Sequence, residues 1–339
     1  MGLAFPKNLV ERLKVDGYML LPLTQAASEV VAATFDAAYP FFRAPLEEKT
    51  SNSLPQDMGY RPIGVEYSQS PERPDLAESF AASAQTSAAI EELRSPSARV
   101  LYERMLAVID VFEPMAEELT VWLADAISGR PLGHNLRGAF RRWSRLQLNY
   151  SRPADATSPL INDPHEDGDL LTIACATGPG LELQKAGGEF IPITTATNEV
   201  LVMPGEIAWL LSGGQIRPLW HRVRREPGCG ERMSLLFFGD IDPSVCDPWV
   251  PNSVNSGVDI GARVLTSVTR FGLKGFIQEK RGARSKDARM GISSGWFRPR
   301  FLGGPLAQLR RPRHDRARAT LPKEAQHLAL VRESGTGGD

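Results

Sequence analysis

From residue 144 to residue 239 the chain alternates short β-prone runs with turn residues, a texture that few folds accommodate. The runs are Ser144–Tyr150, Leu170–Ala176, Leu181–Gln184, Phe190–Ile193, Glu199–Met203, Ile207–Leu211, His221–Arg224 and Met233–Gly239. Each is too short to bury a core alone, and such spacing predicts an all-β barrel or jelly roll. The front half reads differently. Residues 6–16 predict a short helix with Leu9, Val10 and Leu13 on one face, stopped by Asp16-Gly17, and a strand follows from Tyr18. Residues 25–48 look helical through Ala26, Val30, Val31, Phe35 and Ala38, with Pro40 predicting a kink or a second helix start. Residues 51–75 read as loop. Residues 96–128 carry the longest helical pattern, which Pro114 is expected to kink or split and Ser128-Gly129 to close. Gly187-Gly188 and Gly213-Gly214 read as hairpin turns, since no helix follows them to hold a phosphate.

The expected fold class is α+β with a mainly β core, a double-stranded β-helix (jelly roll) flanked by N-terminal helices. Three regions are expected. Residues 1–140 form a mostly helical half packing on the core, 141–250 the catalytic β core, and 251–339 a helical, basic and partly disordered extension. No apolar run approaches the roughly 18 residues that a membrane helix needs. The first residues lack a basic segment followed by an apolar one, so no secretory leader is expected. Cys175, Cys229 and Cys246 are an odd count without CxxC spacing, which suggests reduced thiols in a cytoplasm.

The net charge of −1 conceals an asymmetry. Residues 271–339 hold 15 Lys+Arg against 6 Asp+Glu, and the rest of the chain holds 24 against 34. A basic end can meet nucleic acid, an acidic partner or its own body. A solvated, partly disordered end is the simpler reading, so neither a nucleic-acid nor a membrane partner is expected, and the oligomeric state stays open.

Five histidines are present: His134, His165, His221, His314 and His327. His134 sits in a loop-like segment and reads as a surface residue. His165 opens His165-Glu166-Asp167, where alternation along a strand sends positions i and i+2 to one face. His221 follows 54 residues after Asp167, at the start of another predicted strand. Two imidazoles and one carboxylate can fill one face of an Fe(II) octahedron and leave the other open. An H-x-D taken alone is weak, because an isolated histidine in a β protein is more often packed or on the surface. Arg232-Met233-Ser234 strengthens the pattern. Its guanidinium fork and hydroxyl share a strand face, and together they could bind a carboxylate. A surface salt bridge is the competing reading of Arg232. Cys175, Trp209 and Trp220 read as packed core.

The chain resembles the isopenicillin N synthase-like group of Fe(II)- and 2-oxoglutarate-dependent oxygenases. The resemblance is clearest in Leu148-Asn149-Tyr150, His165-Glu-Asp-Gly-Asp-Leu-Leu-Thr-Ile, Gly180-Leu-Glu-Leu-Gln, Val200-Leu-Val-Met-Pro-Gly-Glu, Ser212-Gly-Gly-Gln, His221-Arg-Val and Arg232-Met-Ser-Leu-Leu-Phe-Phe. In front, Asp16-Gly17-Tyr18, Gly59-Tyr60-Arg61-Pro62 and Glu78-Ser79-Phe80 fit as well, so the likeness covers residues 5–250. Residues Ile207–Val223 look most like the cephalosporin ring-expanding branch.

The resemblance implies Fe(II) at His165, Asp167 and His221, and 2-oxoglutarate at Arg232 and Ser234 with help from Asn149. O2 would be the oxidant. 2-Oxoglutarate would become succinate and CO2 while a C–H bond of a small organic molecule is hydroxylated, desaturated or drawn into ring formation or expansion, in secondary metabolism. The family's Asn-Tyr-Tyr-Pro pattern is broken here by Ser151-Arg152-Pro153, which removes the usual second tyrosine. Arg145, Gln147, Asn149 and Ser151 share one strand face. If Asn149 faces the metal, Gln147 faces the substrate, and a purely structural inward role is the alternative. Isopenicillin N synthase carries the same triad and Arg/Ser pair without using 2-oxoglutarate. A 2-oxoglutarate-independent oxidase is therefore the nearest rival, and a non-catalytic metal-binding jelly roll the rival of another class. Gly178-Pro-Gly-Leu-Glu-Leu-Gln and Ser212-Gly-Gly-Gln look more like members that use the co-substrate.

Overall fold

Two antiparallel sheets face each other in the computed structural model, which describes residues 8–273 except 133–135, 142, 154–157, 252, 254 and 256. His134, the tail histidines His314 and His327, and the basic segment beyond residue 273 lie outside the described residues. The core strands are β4 (Arg145–Ser151), β5 (Leu160–His165), β6 (Leu171–Ala176), β7 (Leu181–Gln184), β8 (Phe190–Pro192), β9 (Glu199–Pro204), β10 (His221–Arg224) and β11 (Arg232–Gly239). The front of the chain adds β1 (Met19–Pro22), β2 (Gly59–Arg61) and β3 (Glu78–Ala82). One sheet runs β1-β9-β6-β11-β4-β3-β2 and the other β5-β10-β7-β8. This is the expected jelly roll. The segment 51–75, read as loop, contains β2, which β3 joins to the edge of the core sheet.

Helix α1 (Leu9–Val15) buries Leu9 and Leu13. Helix α2 (Gln25–Phe42) starts at Thr24, whose side chain accepts from the Ala27 amide, and runs through Pro40 without stopping. A short α3 (Leu46–Thr50) follows, so the second helix start lies beyond Pro40 rather than at it. Helix α4 (Pro96–Ser128) is continuous for 33 residues. Pro114 does not split it, because the buried face from Leu101 to Ala124 packs against α2 and the large sheet and outweighs one lost hydrogen bond. Among the described residues no helix is long and apolar enough to cross a membrane.

One predicted strand is a helix. Ile207–Leu211, read as a strand, lies in helix α5 (Glu206–Leu211). A run of five apolar residues fits either period, and here Ile207, Ala208, Leu210 and Leu211 are all buried. Gly213-Gly214 consequently follows a helix rather than joining two strands. Both residues have φ in the left-handed region, and the Gly214 amide closes the turn on the Trp209 carbonyl at 2.8 Å. Gly187-Gly188 does join β7 to β8.

A buried ion pair ties the front to the core. Lys49 and Glu78 are both only 3% exposed and bonded to each other, and Glu78 also receives the Tyr60 hydroxyl at 2.7 Å and faces Arg152 at 3.2 Å. An aromatic cluster surrounds them: Phe41 meets Tyr60 and Phe80 edge-on, and Phe42 stacks on Tyr150 with centroids 4.9 Å apart. Removing Lys49 takes the buried cation from Glu78 and leaves it only Tyr60 and the half-exposed Arg152. Lys49→Met is expected to lower the unfolding free energy by about 3 kcal/mol in urea titration, a loss larger than that of most exposed charge deletions.

Candidate metal and co-substrate site

His165 ends β5 and His221 begins β10, and the two residues are direct partners in the antiparallel ladder. Their rings lie 4.2 Å apart between centroids. Asp167 lies two residues past the end of β5, in the loop, and its Oδ1 is 3.8 Å from the Nε2 of each histidine. The convergence is therefore the work of the loop, not of strand alternation alone.

Each imidazole is held at its other nitrogen by a carbonyl two residues upstream. Nδ1 of His165 is 2.7 Å from the Asp163 carbonyl, and Nδ1 of His221 is 3.0 Å from the Leu219 carbonyl. A carbonyl only accepts, so both Nδ1 atoms carry the proton and both Nε2 atoms present a bare lone pair. Burial and the facing His221 push His165 down to about 4, which keeps its ring neutral. Burial would raise Asp167, but the two imidazoles and the Thr172 hydroxyl, donating to Oδ2 at 2.5 Å, hold it below the usual carboxylate range.

Three acceptor atoms thus face one another within 4.8 Å, with no donor between them. Such a cluster offers three ligand atoms to one cation, and two imidazoles with one carboxylate suit a divalent transition metal. The donor set fits the Fe(II) that the resemblance implies.

The loop carrying Asp167 is fixed from two sides. The Asp167 carbonyl accepts from the Glu206 amide at 2.9 Å, at the start of α5. A Cβ on Gly205 would lie 2.1 Å from the Asp169 carbonyl, so no other residue fits there. Arg270 donates to the Glu166 carbonyl at 2.8 Å, and the Phe271 ring meets His165 edge-on at 6.0 Å. These two residues follow helix α6 (Ile260–Thr266).

The triad opens into a cavity of about 630 Å³ whose wall also includes Arg145, Gln147, Asn149, Arg232 and Ser234. Ser234 lies opposite both Asn149 and Ala176 in the large sheet. Arg232 Nη1 donates to Ser234 Oγ, and its Nε donates to the Pro179 carbonyl at 2.7 Å. Burial lowers Arg232 to about 10, still cationic at neutral pH. The serine oxygen accepts from the arginine, so its own hydrogen is available for an anion.

All six expected site residues therefore line one cavity. Ser151 does not line it, and Tyr150 faces the other way, onto Phe42 and toward Glu231 at 2.5 Å. Cys175 is buried as expected and its thiol is pushed up to about 12 by burial. Trp209 is partly buried against the core, whereas Trp220 is 41% exposed and not part of it.

Thr172, the one hydroxyl in the apolar run Leu170–Ala176, carries no motif that marks it, whereas Arg270 and Phe271 belong to the segment after residue 240 where a pocket wall is expected. Residues 66–76, within the 51–90 stretch where a pocket wall is expected, do line the cavity. Asn162 of β5 donates to Asp75 at 2.7 Å, Gln69 donates to the Pro164 carbonyl at 2.6 Å, and the Leu76 amide donates to the Ile161 carbonyl at 2.8 Å. Burial pushes Asp75 up to about 7, against its bonds from Ser68 and Asn162 and with the nearby Glu66 adding to the rise.

Residues 143–240 match the family model described as the 2OG-Fe(II) oxygenase superfamily. Solved structures of like fold include a full-length Neurospora crassa protein in complex with alpha-KG, at 17% identity and TM-score 0.59 over 76% of this chain and 89% of that one. A Caulobacter crescentus protein described as of the 2OG-Fe(II) oxygenase family is 19% identical, with TM-score 0.58 over 76% and 92%. The Arabidopsis thaliana dioxygenase for auxin oxidation 1, solved with 2-oxoglutarate, is 21% identical, with TM-score 0.55 over 71% and 91%. No curated protein matches the chain. At these identities the solved structures establish the shared fold. The family match makes residues 143–240 a 2OG-Fe(II) oxygenase domain, an enzyme domain of the class that uses non-haem Fe(II), 2-oxoglutarate and O2.

Two outcomes follow from the geometry. Thr172→Val removes the donor that orients Asp167 and is expected to weaken divalent-metal binding by about tenfold in a metal titration, with the fold intact. Asp75 holds its proton more tightly folded than unfolded, so it lowers stability as pH rises through about 4 to 7. The unfolding free energy of Asp75→Asn should therefore fall less between about pH 5 and pH 8 than that of the unsubstituted chain in parallel urea titrations.

Proposed function

We propose that the chain oxidises an unactivated C–H bond of a small organic molecule, with His165, Asp167 and His221 as the Fe(II) ligands and Arg232, Ser234 and Asn149 as the 2-oxoglutarate site. The observation that carries this reading is the placement of three convergent acceptors and an Arg–Ser pair in the wall of one cavity. Bound iron with 2-oxoglutarate and O2 supplies the oxidising power for C–H cleavage, as 2-oxoglutarate becomes succinate and CO2.

The chain's own groups bind, orient and shield. His165 and His221 through Nε2 and Asp167 through Oδ1 would hold the metal. The Arg232 fork and the Ser234 hydroxyl bind the far carboxylate of the co-substrate, and Arg232 is kept in place by the Pro179 carbonyl. The remaining cavity wall, including Tyr39, Glu66, Tyr67, Asp75 and Phe271, surrounds the substrate and limits water. Co-substrate use, rather than an oxidase that needs none, is supported by a guanidinium whose fork ends in the cavity beside a serine hydroxyl. The isopenicillin N synthase-like branch, a role in secondary metabolism and a cytoplasmic location are finer parts of this proposal, supported by the sequence motifs and by three cysteines that form no disulfide.

Purified protein given Fe(II) and 2-oxoglutarate is expected to form succinate, slowly even without its substrate, and Asp167→Ala to form none. Arg232→Leu should raise the KM for 2-oxoglutarate by roughly 10- to 100-fold, as loss of a charged, bidentate contact predicts. Retained turnover in Asp167→Ala would overturn the assignment. O2 uptake without 2-oxoglutarate would replace it with the oxidase.

A further inference from the structure

Gln147 and Asn149 stand two residues apart on β4, and both line the cavity. Gln147 is 4% exposed and makes three hydrogen bonds. Its Oε1 accepts from Arg61 Nη2 at 2.7 Å, and its Nε2 donates to Glu66 Oε2 at 2.8 Å and to Asn149 Oδ1 at 2.8 Å. Arg61, also 4% exposed, is itself fixed by the Asp57 carbonyl, by Ser79 Oγ and by Glu66 Oε1, each at 2.9 Å. Ser79 in turn donates to Glu66.

The sense of each amide in this chain follows from chemistry. Arginine can only donate, so the oxygen of Gln147 must face Arg61. An ionised Glu66 can only accept, so the nitrogen of Gln147 must face it. The second hydrogen of that nitrogen then points to Asn149, which must answer with its oxygen. Asn149 is left with its Nδ2 hydrogens, which bond to no described residue. In the adjacent ladder position stands Ser234, bonded to Arg232.

We propose that Arg61, Glu66 and Gln147 form a relay that sets the amide sense of Asn149, so that the co-substrate carboxylate meets an N–H of Asn149 rather than its carbonyl. Gln147 is then a positioning residue for co-substrate binding, not a substrate contact. The inference rests on the co-substrate site proposed above. With it, Arg232, Ser234 and Asn149 present donors only, the arrangement an anion needs.

The test exchanges the two relay partners. In the double variant Glu66→Gln/Gln147→Glu the net charge is kept. Position 147 can still accept from Arg61, and position 66 can now donate to it. The carboxylate introduced at position 147 has no hydrogen to give, so Asn149 must turn its Nδ2 toward it and its carbonyl toward the cavity. Titration calorimetry of 2-oxoglutarate into the Mn(II)-loaded full chain is expected to show affinity reduced about tenfold or more, the scale of losing a hydrogen bond to a charged group. Thermal unfolding should stay within a few degrees. On an Asn149→Ala background the same exchange should change affinity less than about twofold, because the relay then has nothing to orient.

An unchanged affinity in the double variant, or an equal loss on the Ala background, overturns the relay while leaving the co-substrate site standing. Failure of the unsubstituted Mn(II) protein to bind 2-oxoglutarate overturns both. A second measurement needs no folded double variant. The Asn149 side-chain N–H signals, assigned by their loss in Asn149→Ala, should shift when 2-oxoglutarate is added to the Zn(II)-loaded protein. Signals that stay in place overturn the proposal.

Discussion

Three lone pairs held face to face without a proton between them are the arrangement on which the rest of this structure depends. Two imidazole nitrogens and a carboxylate oxygen turn toward one point, with Asp167 Oδ1 3.8 Å from each Nε2. The arrangement persists because the outer side of every group is occupied. Two backbone carbonyls fix the imidazole tautomers, and Thr172 holds the far oxygen of Asp167. The fold thus bears the cost of a cluster that a bound cation would relieve, which is how a site built in advance gains affinity and orientation together.

The surrounding elements serve that cluster more directly than a simple split into a helical front and a β core would suggest. β1, β2 and β3, all from the first 140 residues, are part of the same sheet as β4, β6, β9 and β11. The wall at residues 66–76 is bonded to β5, the strand that ends in His165. The segment after α6 reaches back to the Glu166 carbonyl through Arg270, which also faces Glu206 of α5 at 3.2 Å. Front, core and late helix therefore meet at the loop that carries Asp167, and a change in any of them can reach the triad without touching it.

The site was more legible in the sequence than the elements that hold it. His165, Asp167, His221, Arg232 and Ser234 could be singled out because their residue types are rare in this pattern and their chemistry is directional. The strands were legible where turn residues bounded them, as at Leu181–Gln184. Ile207–Leu211 was not, since five apolar residues carry no period and only the bonds of Glu206 and Gly205 to the 167–170 loop decide for a helix. Pro114 misled because the sequence shows the missing donor but not the packing on both sides of α4. Gln147 shows the general difficulty. Its place on an inward face was readable, yet whether it meets a ligand or a neighbour depended on Arg61 and Glu66, more than 80 residues away in the chain and brought near only by the pairing of β2 with β3 and β3 with β4.

The same ladders that hold the triad also set how far it lies from the carboxylate clamp. β10 begins at His221 and ends at Arg224, whose amide donates to the Gly180 carbonyl at 2.7 Å. Gly180 packs against the guanidinium of Arg232, where an added Cβ would lie 3.6 Å from Nε. The backbone ladder thus links the strand that begins at His221 to the Gly180 turn that packs against Arg232, and a one-residue slip of β10 would turn His221 out of the cavity. Strand register is therefore the reason that the triad and the Arg232–Ser234 pair lie in different sheets and still line one cavity.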